Sequence, residues 1–160
     1  MTVRRRHRWH VDWRDDRGQV AGIEAVPFGI LLFVLGALLI TNAWAVIDAK
    51  MAVTSAAREA ARTYVEAPDH ETGLAQAESA ARSAIAAHGG NVAKVSISGP
   101  ASAAAFTRCN HVSFTVTYPV PALTLPIIGG LGSGVVVRST QTEIVDPFRN
   151  DVPGEAVCGG

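Results

Sequence analysis

The chain has 160 residues, of which 48% are hydrophobic, 6% aromatic and 18% charged, so it is long enough for one small folded domain. Its charged fraction lies below the quarter or so that is usual for a globular domain, which indicates that some apolar surface faces something other than water. The 14 basic and 14 acidic side chains are unevenly placed, with six arginines among the first seventeen residues. A nucleic-acid-binding protein needs a basic stripe across its folded part, so this layout argues against that class. The many aliphatic residues argue against a disordered polymer.

The first predicted element is a helix long enough to cross a membrane. Residues 25–47 contain no charged side chain, and residues 28–40 are almost wholly aliphatic. At about 1.5 Å per residue, a helix of this length spans roughly 35 Å, enough for a hydrocarbon core of about 30 Å. Because six arginines precede this stretch, the positive-inside rule predicts a single-pass protein of the cytoplasmic membrane with a cytoplasmic N-terminus and an extracytoplasmic C-terminal domain. Trp44 lies near the far end, where an interfacial aromatic anchor is expected.

A cleaved secretory signal peptide is the alternative interpretation of the same stretch. Ala43, Trp44 and Ala45 have the small-x-small form of a cleavage site. The apolar part of a signal peptide is about 7 to 15 residues long, whereas this stretch is longer, follows Glu24 directly and continues without a helix breaker into a second helical pattern. We therefore favour a helix that is retained in the mature protein.

The residues around this helix resemble a known family. Arg17 and Gly18 precede it, Glu24 stands at its head, and residues 56–62, which read AAREAAR, follow it. This pattern resembles the TadE-like family of tight-adherence (Tad/Flp) pilus assembly proteins, which are single-pass minor pilins or pseudopilins. The resemblance covers the stretch from Arg17 to about Tyr64, and beyond it only the order of the elements. It implies a structural or assembly component of a bacterial Tad-type type IV pilus or related secretion system, with the lipid bilayer, other pilins and the assembly machinery as partners.

The resemblance also implies a processing site. In the prepilin arrangement a prepilin peptidase cuts after a glycine on the cytoplasmic face, and a glutamate a few residues into the mature helix pairs with a subunit's new amino terminus. A cut after Gly18 places Glu24 at the sixth mature position, whereas a cut after Gln19 places it at the family's usual fifth position but loses the glycine. An unprocessed chain stays open as the alternative, because the helix macrodipole favours a carboxylate in the first turn of any helix.

Small side chains recur every four residues along the predicted helix. The stripe consists of Ala37, Thr41, Ala45 and Ala49, continued by Val53, Ala57 and Ala61. Inside lipid such stripes let helix backbones approach closely, so the pattern predicts lateral assembly through this face. An alanine-rich composition, which places alanine on every face by chance, is the alternative explanation. The helical pattern continues to Glu66, and Pro68 ends it.

The rest of the chain reads as one further helix followed by strands. Asp69 is a good N-cap for a helix over residues 70–88, which the following Gly89-Gly90 would stop. Strand-like runs then cover residues 92–98, 112–118 and 135–145.

The alternation within the second run predicts a sheet with one buried face. Its apolar members are Val112, Phe114, Val116 and Tyr118, and such a pattern fits an antiparallel sheet that helices cover on one side. The predicted fold class is therefore α+β, with a long N-terminal helix, a second helix and a small three-stranded antiparallel sheet. The predicted segments are a basic cytoplasmic leader (1–18), a transmembrane helix that continues as an extracytoplasmic stalk (19–67) and a small extracytoplasmic domain (68–160).

The two cysteines, Cys109 and Cys158, are predicted to form a disulfide. A disulfide is stable outside a reducing cytosol, and one that closes a loop of about 50 residues contributes roughly 3 to 4 kcal/mol. A metal half-site at Cys109, Asn110 and His111 is the rival interpretation, but it lacks the second pair of nearby ligands that zinc needs. We therefore expect no metal.

Residues 119–133 read as a loop that is unusually apolar for contact with water. Loops of this length often carry function. The sequence leaves open whether this loop touches the bilayer surface, docks against a neighbouring subunit or folds back over the open edge of the sheet.

The sequence contains none of the common catalytic signatures. We find no Gly-rich phosphate loop, Gly-x-Ser-x-Gly elbow or zinc helix motif, and we therefore predict neither an enzyme nor a cofactor. His7, His10 and Asp12 are interpreted as part of a solvated tail, and His70 and His88 as surface residues. Two hypotheses remain: a pilus assembly subunit, and a single-pass, unprocessed extracytoplasmic binding module.

Overall fold

A computed structural model describes residues 20–121, 123–125, 129–131, 134–155 and 157–158 of the chain, with side chains described from residue 25 and not over 122–133. In this part of the chain, two helices precede the strands, and the fold is α+β as predicted. The helices are α1 (Val20–Glu66) and α2 (His70–Ala87). The strands are β1 (Ser96–Ser98), β2 (His111–Val120), β3 (Leu123–Leu125), β4 (Gly129–Leu131) and β5 (Val135–Ile144).

Helix α1 is continuous over 47 residues. It tolerates Pro27 within its N-terminal part and ends at Glu66, two residues before Pro68, which cannot extend a helix. The contacts within the chain divide it between Ala37 and Leu38. The first unit, as far as it is described, is the helix alone, and the second unit contains the rest of α1 and all the other elements.

Helix α2 begins where its cap predicted. The amide of Thr72 donates a hydrogen bond of 2.9 Å to Oδ1 of Asp69, and its hydroxyl donates one of 2.8 Å to Oδ2. These bonds stabilise the carboxylate and lower the pKa of Asp69. The helix ends at Ala87, and the expected last residue, His88, is instead its C-cap. The buried positions are Gly73, Ala77, Ala81 and Ile85, which lie on one face.

The three-stranded sheet has the order β1-β2-β5 and is antiparallel throughout. The predicted alternation in β2 is confirmed, since Val112, Phe114 and Val116 are buried and Tyr118 is half-buried against the core. On the other face, hydroxyl pairs link the strands, with Ser113 2.7 Å from Thr142 and Thr115 2.8 Å from Thr140.

The first predicted strand, over 92–98, is wrong in its first half. Only Ser96–Ser98 is a strand, and Val92–Lys94 forms a 3-10 turn. The side chain of Asn91 accepts a hydrogen bond of 2.9 Å from the amide of Ala93. Asparagine competes in this way with a strand, because its side chain offers the backbone a local partner.

The segment predicted as the apolar loop 119–133 contains regular structure. Its first residues extend β2, and β3 pairs with β4 in an antiparallel two-stranded sheet, with Leu123 opposite Leu131. The Leu-Thr-Leu alternation of β3 is a short period-2 pattern that fits a strand. The other residues over 122–133 lie outside the described part of the chain.

The core of the second unit forms between α1, α2 and the inner face of the sheet. Tyr64 is fully buried at its centre, with its ring centroid 5.3 Å from those of both Phe106 and Phe114. The α1 side chains in this core, besides Tyr64, are Ala52, Val53, Ala56, Ala57, Ala60 and Ala61. Their spacing of three and four residues defines one helical face, and their small size lets the sheet and α2 pack close to the helix axis.

Candidate functional site

The N-terminal part of α1 exposes a large apolar surface. Phe33 is 77% exposed and Leu39 72% exposed. Within the described residues, one helix is long and apolar enough to cross a bilayer, over Ala25–Glu66, and its most apolar 18-residue window buries none of its surface in the protein. A core helix of a water-soluble domain would be mostly buried, so this surface calls for an apolar partner outside the described part of the chain.

The C-terminal part of the same helix is held firmly in the folded unit. Near its beginning, Nζ of Lys50 donates a hydrogen bond to the backbone carbonyl of Arg138 on β5. At its end, the guanidinium of Arg149 donates to the carbonyls of Val65, Glu66 and Ala67. These are carbonyls that a helix terminus leaves without an intrahelical partner. Arg149 therefore caps α1 from a distant part of the chain.

Tyr64 and His70 form a polar contact beside the buried rings. The Tyr64 hydroxyl lies 2.7 Å from Nδ1 of His70, and the two rings are perpendicular. Burial raises the pKa of Tyr64. The prediction that His70 is a surface residue is therefore incomplete, because its ring is half-buried and bonded across the α1–α2 corner.

The predicted processing and assembly residues lie at the edge of what the structure describes. Gly18 and Gln19 lie outside the described residues. Glu24 falls within α1, but its side chain is also outside the described part. Their roles therefore stay predictions.

The predicted stripe of small residues crosses two environments. Ala37 and Thr41 are exposed, whereas Ala45 and Ala49 are half-buried and pack against the core of the chain's own domain. Farther along, Val53, Ala57 and Ala61 are fully buried in that core. Intrachain packing therefore accounts for the small side chains from residue 45 onward.

A cavity of about 300 Å³ opens between α1, the end of α2 and the end of β2. Its walls are mainly apolar, and they include Ala45, Ile85 and Val120. At its polar side Nδ1 of His88 lies 3.9 Å from Oδ1 of Asp48, beyond hydrogen-bond distance, and both groups are partly exposed. Such a pair is a weak ion pair when His88 is protonated.

The predicted disulfide between Cys109 and Cys158 is confirmed, with Cα atoms 5.2 Å apart. It ties the C-terminal segment to the residues before β2, next to the hydrogen bond of 2.8 Å that Arg108 donates from its amide to the carbonyl of Pro153. Among the described residues, no group of three or more His, Cys, Asp or Glu side chains could hold a metal ion.

Sequence reasoning missed the contacts that fix α1 in its domain. Lys50 and Arg149 reach backbone carbonyls 88 and 82 to 84 residues away along the chain, and no local pattern signals such contacts. The burial of Tyr64 could have been predicted from the sequence, because Tyr64 is the one aromatic side chain on the alanine-rich face of α1 that packs in the core.

Comparison with known proteins adds no relative. No protein-family model, no curated protein and no solved structure matches the chain. The likeness to TadE-like proteins therefore rests on Arg17, Gly18, Glu24 and residues 56–62.

Proposed function

We propose that this chain is a structural or assembly component, a minor pilin or pseudopilin, of a bacterial Tad-type type IV pilus or a related secretion system. In this proposal α1 inserts in the cytoplasmic membrane, with the N-terminus in the cytoplasm and the α+β domain outside. The observation that carries the proposal is that one continuous helix exposes an apolar surface in its N-terminal part and forms the core of a folded domain in its C-terminal part.

The way α1 enters the domain favours an assembly subunit over a simple tether. A membrane-anchored binding module needs only a flexible linker between its anchor and its domain, and such linkers are rich in Gly, Ser or Pro. Here the helix continues from Leu38 into the core without a break, and Lys50 and Arg149 hold it to the segments that pack beside it. Subunits that stack through a helix need that helix to be part of the folded domain, and from Leu38 onward α1 belongs to the folded unit.

The charges and the disulfide support the proposed orientation. Six arginines precede the apolar stretch, as the positive-inside rule expects of a cytoplasmic N-terminus. The bridge between Cys109 and Cys158 fits an oxidising compartment, since disulfides are rare in the cytosol.

The alternative function is a single-pass, unprocessed, membrane-anchored extracytoplasmic binding module. The cavity beside Ala45, Ile85 and Val120 is the observation that favours it. Its volume of about 300 Å³ lies at the lower end of the range of small-molecule sites.

Processing distinguishes the two functions. The full chain, extracted from membranes of cells with and without a prepilin peptidase, is analysed by intact mass and by N-terminal sequencing. The proposed function predicts loss of residues 1–18 or 1–19 only with the peptidase present. It also predicts that Gly18→Leu blocks this loss, while Gly22→Leu, which adds the same bulk four residues later, does not.

The role of Glu24 is tested in the same cells by Glu24→Gln, with Glu59→Gln as the matched control. Both changes remove one carboxylate from α1, and Glu59 is exposed on the folded part of the helix. We expect Glu24→Gln to abolish crosslinking to other pilins and Glu59→Gln to preserve it. An unchanged mass in both strains, with crosslinks unaffected by Glu24→Gln, would favour the anchored module.

A further inference from the structure

We infer that the apolar end of the β2–β5 hairpin is a second membrane contact, seated in the interfacial layer of the bilayer at the point where α1 leaves it. This surface, called here the hairpin end, consists of the end of β2 from Pro119 and the beginning of β5 to Val136. The inference rests on the part of the proposed function that places α1 in a membrane.

The first step is the direction of the sheet relative to the helix within the folded unit. Lys50 bonds to the carbonyl of Arg138 near the beginning of β5, and Arg149, beyond the end of β5, bonds to the carbonyls at the end of α1. Strand β5 and the segment after it therefore run in the same direction as α1, from the level of Lys50 to the level of Glu66.

The second step places the beginning of β5 along the helix. Val135 lies three residues before Arg138, which is about 10 Å at about 3.3 Å per residue of strand. The same distance corresponds to about seven residues of helix at about 1.5 Å each. Counting back from Lys50, the hairpin end begins near the level of Trp44, in the last turn of the uncharged stretch of α1.

The cavity gives independent support for this placement. Val120, which pairs with Val135, lines the same cavity as Ala45 and Asp48. The end of α2 reaches the same level, because His88 lies 3.9 Å from Asp48. The end of the folded unit at residues 45–48 of α1 therefore includes the end of β2.

The third step is chemical. The nineteen residues from Pro119 to Val137 contain no charged side chain. At the described positions Val135 is 59% exposed and Val136 63% exposed, and Trp44 at the same level of α1 is 69% exposed. The side chains of Val135 and Val136 point to opposite faces of the strand, so this end of the sheet exposes valine on both faces at the level of an exposed tryptophan. Aliphatic side chains together with an amphipathic ring are the composition found at membrane interfaces.

Two observations identify the occupant as a lipid surface. The hairpin end lies at the level of Trp44 and Ile47, which are exposed apolar side chains of α1 within the same folded unit, so one bilayer surface covers both. Of the next charged side chains along these elements, Lys50 and Arg138 are basic and stand where phosphate headgroups would lie, whereas Asp48, the first after the uncharged stretch of α1, is acidic and faces His88. In the described part of the chain, β3 pairs with β4 and not with an edge of the three-stranded sheet, so these two strands do not extend that sheet.

The test uses tryptophan fluorescence of the full chain in vesicles made of zwitterionic and anionic phospholipids. Trp9 and Trp13 are replaced by Phe, and Trp44 either stays as the reporter of α1 or is also replaced by Phe. In the tryptophan-free background the reporter of the hairpin end is Val136→Trp. Pro119→Trp, which lies opposite Val136 on β2, is a second reporter, so the test does not depend on the folding of a single variant. The matched control is Ile144→Trp, on the same outward face at the other end of β5.

Phospholipids brominated near the headgroup end of the acyl chains quench a tryptophan that lies at the interface. Because an interfacial side chain sits about 5 to 10 Å into the boundary, we expect roughly half of the Val136→Trp emission to be lost, with a blue shift, and little loss from Ile144→Trp. Pro119→Trp should behave like Val136→Trp.

The reporters separate failure of the inference from failure of the proposed anchoring. Quenching of Trp44 together with equal, weak quenching of Val136→Trp and Ile144→Trp would overturn the second contact and leave the anchor intact. Absence of Trp44 quenching would overturn both. Emission from Val136→Trp that is shielded from aqueous acrylamide yet not quenched by brominated lipid would overturn the inference in favour of a second copy of the chain on this surface.

Discussion

Replacement of Arg149 by Met tests whether this side chain fixes the end of α1. Its guanidinium donates to three consecutive carbonyls at the helix end, those of Val65, Glu66 and Ala67, and lies 5.6 Å from the centroid of the Phe106 ring. A hydrogen bond from a charged donor contributes about 1.5 to 3 kcal/mol at most, and these groups are partly exposed. A cation–π contact adds roughly 0.5 to 1 kcal/mol. Because water can reach some of the released carbonyls, we expect the free energy of unfolding to fall by about 2 to 4 kcal/mol.

The measurement is urea-dependent pulse proteolysis of the full chain in detergent micelles. Arg149→Lys keeps one charge but not the planar fork, so we expect a smaller loss, about half as large. The matched control is Arg62→Met, which removes an exposed arginine four residues from its partner Glu66. Such a pair contributes about 0.3 to 0.5 kcal/mol. If Arg149→Met cost no more than Arg62→Met, the reasoning about the helix cap would be wrong.

Three further predictions concern the disulfide and two titrating groups. Reduction of the disulfide, or replacement of both Cys109 and Cys158 by Ser, should lower the free energy of unfolding by roughly 3 to 4 kcal/mol, because a loop of 49 residues is opened. An unchanged midpoint of urea unfolding would contradict this. The pKa of Asp69 is lowered by its hydrogen bonds to Thr72, so its contribution to the stability of the fold should be present above the ordinary pKa of 3.8 and be lost as pH falls through the pKa of the folded state. Asp69→Ala should remove that acid dependence, as followed by circular dichroism of the helices. The pKa of Tyr64 is raised by burial, so the stability that this side chain contributes should be fully present below the ordinary pKa of 10.0 and decline as pH rises through the pKa of the folded state. Tyr64→Phe should flatten this alkaline decline. An identical decline in the variant would refute the assignment of the decline to Tyr64.

The elements that could be predicted from sequence are those with a local physical cause. The start of α2 follows from a cap whose partner, Thr72, is three residues from Asp69. The buried face of β2 follows from strict alternation, and the disulfide from the presence of two cysteines in a segment expected to be exported. In the helix and the strand, the residues that determine the structure lie within a few positions of one another. In the disulfide, two cysteines allow one pairing.

The features that escaped prediction depend on distant or competing contacts. Asn91 starts a 3-10 turn where valine-rich sequence favoured a strand, because its side chain binds the amide of Ala93. The small residues of α1 from Ala45 onward also pack against the chain's own core, a contact that only the fold reveals. Their role in lateral assembly stays a prediction. Arg149 reads as an ordinary surface charge until the chain is folded.

The position of Gly18, Gln19 and Glu24 illustrates the other limit. Their proposed roles depend on a peptidase and on neighbouring subunits, so the chemistry that gives them meaning belongs to partners. Sequence resemblance is the source of that expectation.

The unbroken passage of α1 into the core has a mechanical consequence. Between Leu38 and Tyr64 the helix contains no flexible linker, so a force applied along its axis would be transmitted directly to the sheet that packs against it. Since β5 runs beside the helix and is tied to it near both ends by Lys50 and Arg149, the load would act in shear on many contacts together. The helix would therefore transmit such a load to the folded unit as a whole and not to one contact at a time.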